Sequence, residues 1–126
     1  MSNDSPIVVL DDDLDTVTFL CDFLEMLGFD VLTCPLSSHA ADWIAQHHPA
    51  LVVLDIDLGA MSGIDVFQAL RADSATHGVP VIFFTGSEDR LRNAVPDYAA
   101  RNAALVVKPL VEHLGTLVQD QLKRAA

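Results

Sequence analysis

The chain has 126 residues, 51% of them apolar and 20% charged, which is the size of one ordinary domain with a real core and argues against disorder. Eighteen acidic residues against 7 basic ones leave a formal charge of −11, so no electrostatic footprint for a nucleic-acid backbone is on offer and direct nucleic-acid binding is not expected. The imbalance is lopsided: residues 1–70 hold 12 acids and no Lys or Arg, whereas residues 71–126 hold 6 acids and all 7 bases.

No run approaches the roughly 18 apolar residues of a membrane span, and Met1-Ser2-Asn3-Asp4 has neither the basic start nor the apolar run of a signal peptide. A cytoplasmic protein without membrane contact is expected. Cys21 and Cys34 lie in apolar contexts with no partner at ligand spacing, which fits a reducing compartment and small core or near-core residues.

In chain order, Pro6-Ile7-Val8-Val9-Leu10 is an apolar run stopped by four acids within five residues, the pattern of a strand buried on both faces. Val17, Leu20, Cys21, Leu24 and Leu27 then follow helical spacing, with Gly28 as the stop. The alternation repeats as a strand at 30–34, a helix at 38–47 closed by Pro49, and the buried strand Leu51-Val52-Val53-Leu54. A helix at 63–72, a strand at 80–84, a helix at 88–100, a strand at 104–107 and a helix at 110–123 complete five strand–helix units. Short apolar strands joined by helical crossovers predict a doubly wound α/β fold, a parallel sheet with helices on both faces. One domain then fills residues 1–126, and function belongs just beyond the carboxyl ends of the strands.

The residues at those ends are Asp11-Asp12-Asp13, Asp55 with Asp57, Thr85-Gly86-Ser87, and Lys108-Pro109. Asp13 or Asp15 is expected to cap the first helix. Asp11, Asp12 and Asp55 are aimed at one rim. At about 5 Å and an effective dielectric of about 20, each pair would repel by roughly 3 kcal/mol, on the order of 10 kcal/mol for the set. Either one group takes up a proton, or a divalent cation and the Lys108 ammonium compensate. A few carboxylates with room for water and a phosphate oxygen suit Mg²⁺ better than a closed calcium cage. In that frame an Asp can accept a phosphoryl group as an acyl phosphate, Thr85 can donate to a phosphate oxygen, and Lys108 can move between carboxylate and phosphate.

These residues resemble the receiver domain of two-component response regulators, a module with a CheY-like, flavodoxin-like (βα)5 fold. The likeness rests on Val9-Leu10-Asp11-Asp12-Asp13, Leu54 to Gly63, Thr85-Gly86 and Lys108-Pro109, in that order, and runs from Ile7 to the last helix. It implies strand order 2-1-3-4-5, Asp55 as phosphoacceptor, and Mg²⁺ held by Asp11, Asp12, Asp55 and the backbone carbonyl of Asp57. It further implies that Thr85 and Lys108 sense the phosphoryl group and that the Lys108-Pro109 peptide is cis. The implied donor is a sensor histidine kinase or a histidine phosphotransfer protein. The implied downstream partner is a protein meeting the surface of the fourth helix, fifth strand and fifth helix.

Three positions depart from the family pattern. Gly59 stands where a Pro is common, which implies a more mobile loop. Leu105 replaces an aromatic residue that often swings inward when the Thr moves, so the usual Thr-to-aromatic switch is not expected in its standard form. Asp57 adds an acid two residues beyond the acceptor, where its side chain could ligate the metal, repel phosphate or orient water. Asp57 and Ser87 are therefore expected to set the lifetime of the phosphorylated state. Two other readings have sequence support. Asp55-Ile56-Asp57 also resembles the nucleophile motif of haloacid-dehalogenase-type phosphatases, but the acidic pair precedes it and only Glu112 and Asp120 follow Lys108. A pseudo-receiver that only binds partners should lack one of the acidic, acceptor, Thr or Lys positions, and all are present. Trp43 and Tyr98 read as packing residues, the five histidines as solvent-facing or capping groups, and Arg90, Arg92 and Arg101 as a solvated face or a partner contact.

Overall fold

A computed structural model describes residues 5–108 and 111–125. Five parallel strands, β1 (Ile7–Leu10), β2 (Val31–Thr33), β3 (Leu51–Leu54), β4 (Val81–Thr85) and β5 (Ala103–Val107), form one sheet in the order β2-β1-β3-β4-β5. The expected doubly wound α/β architecture is what is found. The helices are α1 (Leu14–Met26), α2 (Ala40–His47), α3 (Gly63–Ala72), α4 (Glu88–Ala94) and α5 (Val111–Ala125). Among the described residues none is long and apolar enough to cross a membrane.

The all-apolar strands are explained by two cores, one on each face of the sheet. Val8, Leu10, Val52, Leu54, Val81 and Phe83 pack with Ile44 of α2, Phe67 and Leu70 of α3, and Leu91 of α4. The intervening residues Ile7, Val9, Leu51, Val53, Ile82 and Phe84 pack with Leu20 and Leu24 of α1 and Leu114 and Val118 of α5. Alternation along each strand thus assigns a side chain to one layer or the other. Trp43, Tyr98 and Leu105 are half-buried against the first core.

Local chemistry sets the helix ends. Asp13 caps α1, its carboxylate accepting from the Asp15 N–H at 3.1 Å and from the Thr16 hydroxyl at 3.0 Å. Ser62 caps α3 by accepting from the Ile64 N–H at 3.2 Å. The expected helix at 88–100 is shorter: α4 ends at Ala94, and a separate 3-10 turn spans Tyr98–Arg101. Pro96 is the reason, because its ring disfavours the helical conformation in the preceding residue, and Val95 lies outside the helical region at φ −136°, ψ 70°. Tyr98 therefore belongs to the 3-10 turn and not to the fourth helix.

A short antiparallel hairpin pairs Asp57–Leu58 with Met61–Ser62 just after β3, an element that the periodicity does not predict. Its two-residue turn is Gly59-Ala60, with Gly59 at φ +71°, the positive φ that tight hairpin turns demand at their first position. A proline, fixed near −65°, could not take that conformation, so Gly59 is tied to the hairpin itself.

Gly63 is held more tightly than any other glycine. Its N–H donates to the Ile56 carbonyl at 2.7 Å, and a Cβ there would sit 2.0 Å from the carbonyl oxygen of Asp55. Gly63→Ala should lower stability by about 1–3 kcal/mol, the range for overpacking against atoms that cannot yield, and displace Asp55. A thermal midpoint unchanged from the parent would contradict this packing.

Cys34 is buried while Cys21 is half-buried, and burial pushes the Cys34 thiol up to about 12. Between its ordinary 9.0 and about 12 the folded state keeps a proton that the unfolded chain loses, so this group costs stability as pH rises through that window. Iodoacetamide near pH 8 should alkylate Cys21 and spare Cys34 in the native protein. Equal labelling of both, read by peptide mass spectrometry, would contradict the burial.

Candidate functional site

Strand register brings the polar residues together. Leu10 pairs with Leu54 across β1 and β3, and the Asp55 N–H donates to the Leu10 carbonyl at 3.0 Å, so Asp11 and Asp55 emerge side by side. Thr85 pairs with Val107 across β4 and β5, and the Lys108 N–H donates to the Thr85 carbonyl at 3.0 Å. Asp11, Asp55 and Lys108 continue the alternation of Val9, Val53 and Val106, whose side chains share the α1 and α5 layer. Lys108 accordingly lies over Phe84 of the same layer, its Nζ 5.7 Å from the ring centre.

The Lys108 ammonium donates to Asp11 Oδ2 and to Asp55 Oδ2, each at 2.9 Å. Asp55 Oδ1 accepts from the Ile56 N–H at 2.7 Å, and Asp11 Oδ1 accepts from the Asp13 N–H at 3.0 Å. Both carboxylates are buried, whereas Asp12 is exposed. Asp11, Asp12 and Asp55 each offer an oxygen, and these lie within 4.8 Å of one another.

The electrostatics follow from this crowding. Burial raises the Asp11 pKa above its ordinary value, outweighing the Asp13 N–H and the Lys108 ammonium that pull it down, and the neighbouring Asp55 charge adds to the rise. Burial pulls Lys108 the other way, but the hydrogen bonds to Asp55 and Asp11 outweigh it and its pKa is raised. The ammonium is therefore fully charged at neutral pH, and its contribution is lost only as pH rises through that elevated value. Three carboxylate oxygens are hard donors of the kind Mg²⁺ takes, so the donor set fits that ion.

Thr85 is fully buried at the end of β4, and its Oγ1 accepts from the Ser87 N–H at 3.0 Å. A hydroxyl that accepts one bond still has its hydrogen to donate. Leu105 pairs opposite Phe83 on β5. The Lys108-Pro109 peptide involves Pro109, which lies outside the described residues, as do the Pro109 and Leu110 positions leading into α5.

Asp57 takes a direction that spacing alone does not reveal. Its Oδ2 accepts from the Ser87 hydroxyl at 2.6 Å and its Oδ1 is paired with Arg90. The Ser87 hydroxyl first, and Arg90 with it, hold the Asp57 carboxyl below its ordinary value against the opposing effect of burial. Arg90, read from sequence as a solvated face or a partner contact, is thus part of the rim. Its position shortly after the Thr85-Gly86-Ser87 turn is the signal that sequence offered. Arg92 and Arg101 instead pair with Glu88 at 3.5 Å and Asp97 at 3.1 Å on their own segments. All five histidines are exposed; His47 stacks on Trp43 with ring centres 3.8 Å apart.

The sequence and the fold have known counterparts. DNA-binding response regulator MtrA of Mycolicibacterium smegmatis is 40% identical over 83 residues, covering 66% of this chain but only 35% of MtrA. Polar-differentiation response regulator DivK of Brucella ovis is 32% identical over 93 residues, covering 70% of this chain and 75% of DivK. Among solved structures, a sensor protein from Polaromonas sp. JS666 superposes with a TM-score of 0.82 at 23% identity, over 98% of this chain and 100% of that one. Response regulator TrrA of Thermotoga maritima, solved in complex with Mg(2+)-BeF, superposes with a TM-score of 0.78 at 22% identity, over 93% of this chain and 98% of that one. The model of the response regulator receiver domain matches residues 7–119, from the first residue of β1 well into α5, and on that match the chain belongs to the receiver-domain family.

Proposed function

We propose that this chain is a phospho-accepting signalling switch in which Asp55 receives a phosphoryl group from the phosphohistidine of a sensor histidine kinase or phosphotransfer protein. The observation that carries the reading is the Lys108 ammonium, 2.9 Å from both Asp11 Oδ2 and Asp55 Oδ2 beside the exposed Asp12. In the transfer an Asp55 oxygen forms the new P–O bond as the donor's P–N bond breaks, and the imidazole nitrogen leaves with the bonding pair. Asp11, Asp12 and Asp55, with the backbone carbonyl of Asp57, would hold Mg²⁺, which supplies positive charge against the transferring phosphoryl oxygens.

The chain's own residues do the rest. Lys108 exchanges its bond to the Asp55 carboxylate for one to a phosphoryl oxygen, as a flexible point charge can. Thr85, whose hydroxyl has a hydrogen to give, donates to another. Asp57 and Ser87, bonded to each other at 2.6 Å beside the acceptor, set the lifetime of the acyl phosphate. The domain, taken as residues 1–126, acts in the cytoplasm and signals to a protein through the face built by α4, the 3-10 turn, β5 and α5. It makes no direct contact with nucleic acid, in keeping with its net charge of −11. MtrA is a DNA-binding regulator as a whole protein, of which the matched part is 35%.

Acetyl phosphate with Mg²⁺ should yield one acid-labile phosphoryl group per chain in the parent and none in Asp55→Asn, read by intact mass. Mg²⁺ alone should raise the thermal midpoint, by about 2.7 kcal/mol of added stability at 100 times its Kd, and Asp12→Ala should lose most of that gain. Multiple turnover on phosphate esters would instead favour a phosphatase, and no adduct a binding module. In phosphorylated protein, Asp57→Asn and Ser87→Ala should each change the dephosphorylation rate by more than about twofold. Rates within that margin would remove these side chains from control of the lifetime.

A further inference from the structure

A continuous series of bonds runs along the rim from the Thr85 hydroxyl to α4. The Ser87 N–H donates to Thr85 Oγ1 at 3.0 Å, the Ser87 hydroxyl donates to Asp57 Oδ2 at 2.6 Å, and Asp57 Oδ1 is paired with Arg90 of α4. Asp57 begins the hairpin that follows Asp55, so the bridge ties the hairpin on one side of the carboxylates to the β4–α4 turn on the other. The interior route is differently equipped. Leu105, half-buried against the core of the α2, α3 and α4 layer, has no ring to swing and no polar atom with which to follow Thr85.

We propose that Arg90 is a positioning residue, and that the Asp57–Ser87–Arg90 bridge is the latch through which the state of the acceptor sets the position of α4. The inference rests on the acceptor reading above. The Thr85 hydroxyl can give its hydrogen to a phosphoryl oxygen while still accepting from the Ser87 N–H, so a shift of Thr85 toward the phosphoryl group draws Ser87 with it. Ser87 responds, its hydroxyl is shared with Asp57, and the Asp57 carboxylate is the anchor of Arg90.

Two comparisons separate this bridge from ordinary surface pairing. Arg92 with Glu88 and Arg101 with Asp97 are i,i+4 pairs within single segments, and so cannot link moving parts. Arg90 and Asp57 are 33 residues apart in sequence and join α4 to the hairpin that follows β3. Their side chains are 52% and 54% exposed, so the pair biases a two-state equilibrium by no more than about fivefold. Such a bias is too small to hold the fold and large enough to decide which of two loop positions dominates.

The test is amide hydrogen exchange over α4 in the parent, Arg90→Ala and Arg90→Lys, each with Mg²⁺ alone and with Mg²⁺ plus beryllium fluoride as the phosphoryl mimic. Adduct formation is followed separately by native mass spectrometry. The parent should change its exchange over α4 when the adduct forms. Arg90→Ala should bind the mimic within about twofold of the parent yet lose that change, and Arg90→Lys, which keeps the charge but not the fork, should retain part of it. An α4 response as large in Arg90→Ala as in the parent would overturn the latch while leaving the acceptor reading intact, as would an adduct with no α4 response in the parent. A parent that takes no adduct would overturn the acceptor reading, and the latch with it.

Discussion

The rim of this domain depends on one cation held between two buried carboxylates. At an effective dielectric of about 20, a unit charge some 4 Å away is worth about 4 kcal/mol, comparable to the roughly 3 kcal/mol by which each pair of carboxylates repels. Lys108 reaches both Asp11 and Asp55 at 2.9 Å, so a single ammonium offsets much of the repulsion that the strand ends create. It remains a flexible, compact charge, able to trade one oxygen for another without rearranging the sheet. Asp12 lies outside this clamp and exposed, which leaves one member of the acidic set open to a cation from solution.

That clamp is possible only because parallel register and strand alternation agree across four strands. Leu10 opposite Leu54 and Thr85 opposite Val107 fix which residues are the first to leave the sheet. A one-residue slip in β5 would turn Lys108 into the other layer, away from the carboxylates. The backbone behind Asp55 is constrained as well, since Gly63 lies against its carbonyl where even a methyl group would meet the oxygen at 2.0 Å. Asp55 is therefore carried on tightly constrained backbone, while Asp57, Ser87 and Arg90 sit on the rim's exposed edge. A rigid seat with a yielding rim suits a group that must change state without disturbing the core.

How much of this is legible in the sequence differs by element. Unbroken apolar runs such as Leu51-Val52-Val53-Leu54 announce strands buried on both faces, and the acids and the lysine that end them announce a charged rim. Those signals are local and survive without tertiary context. The helix expected over 88–100 ends at Ala94 although apolar spacing continues across Pro96, whose steric effect on Val95 ends the helix whatever the periodicity. The Asp57–Leu58/Met61–Ser62 hairpin has only two residues in each strand, too few for any alternation to register. The Arg90–Asp57 pair joins residues 33 apart on α4 and on the hairpin, and such a contact exists only once the sheet has placed both at the same end.

The uneven charge of the chain takes on meaning in three dimensions. The first 70 residues have 12 acids and no Lys or Arg, yet the acids at the rim do not stand unopposed. Lys108 meets Asp11 and Asp55, and Arg90 meets Asp57, so both cations come from the second half of the chain and both arrive only when β4 and β5 have joined the sheet. Neither acidic strand end can be compensated by its own neighbours in sequence. Assembly of the rim is thus coupled to completion of the sheet, and the charge gathered at the rim is also a reason why the two halves of the domain need each other.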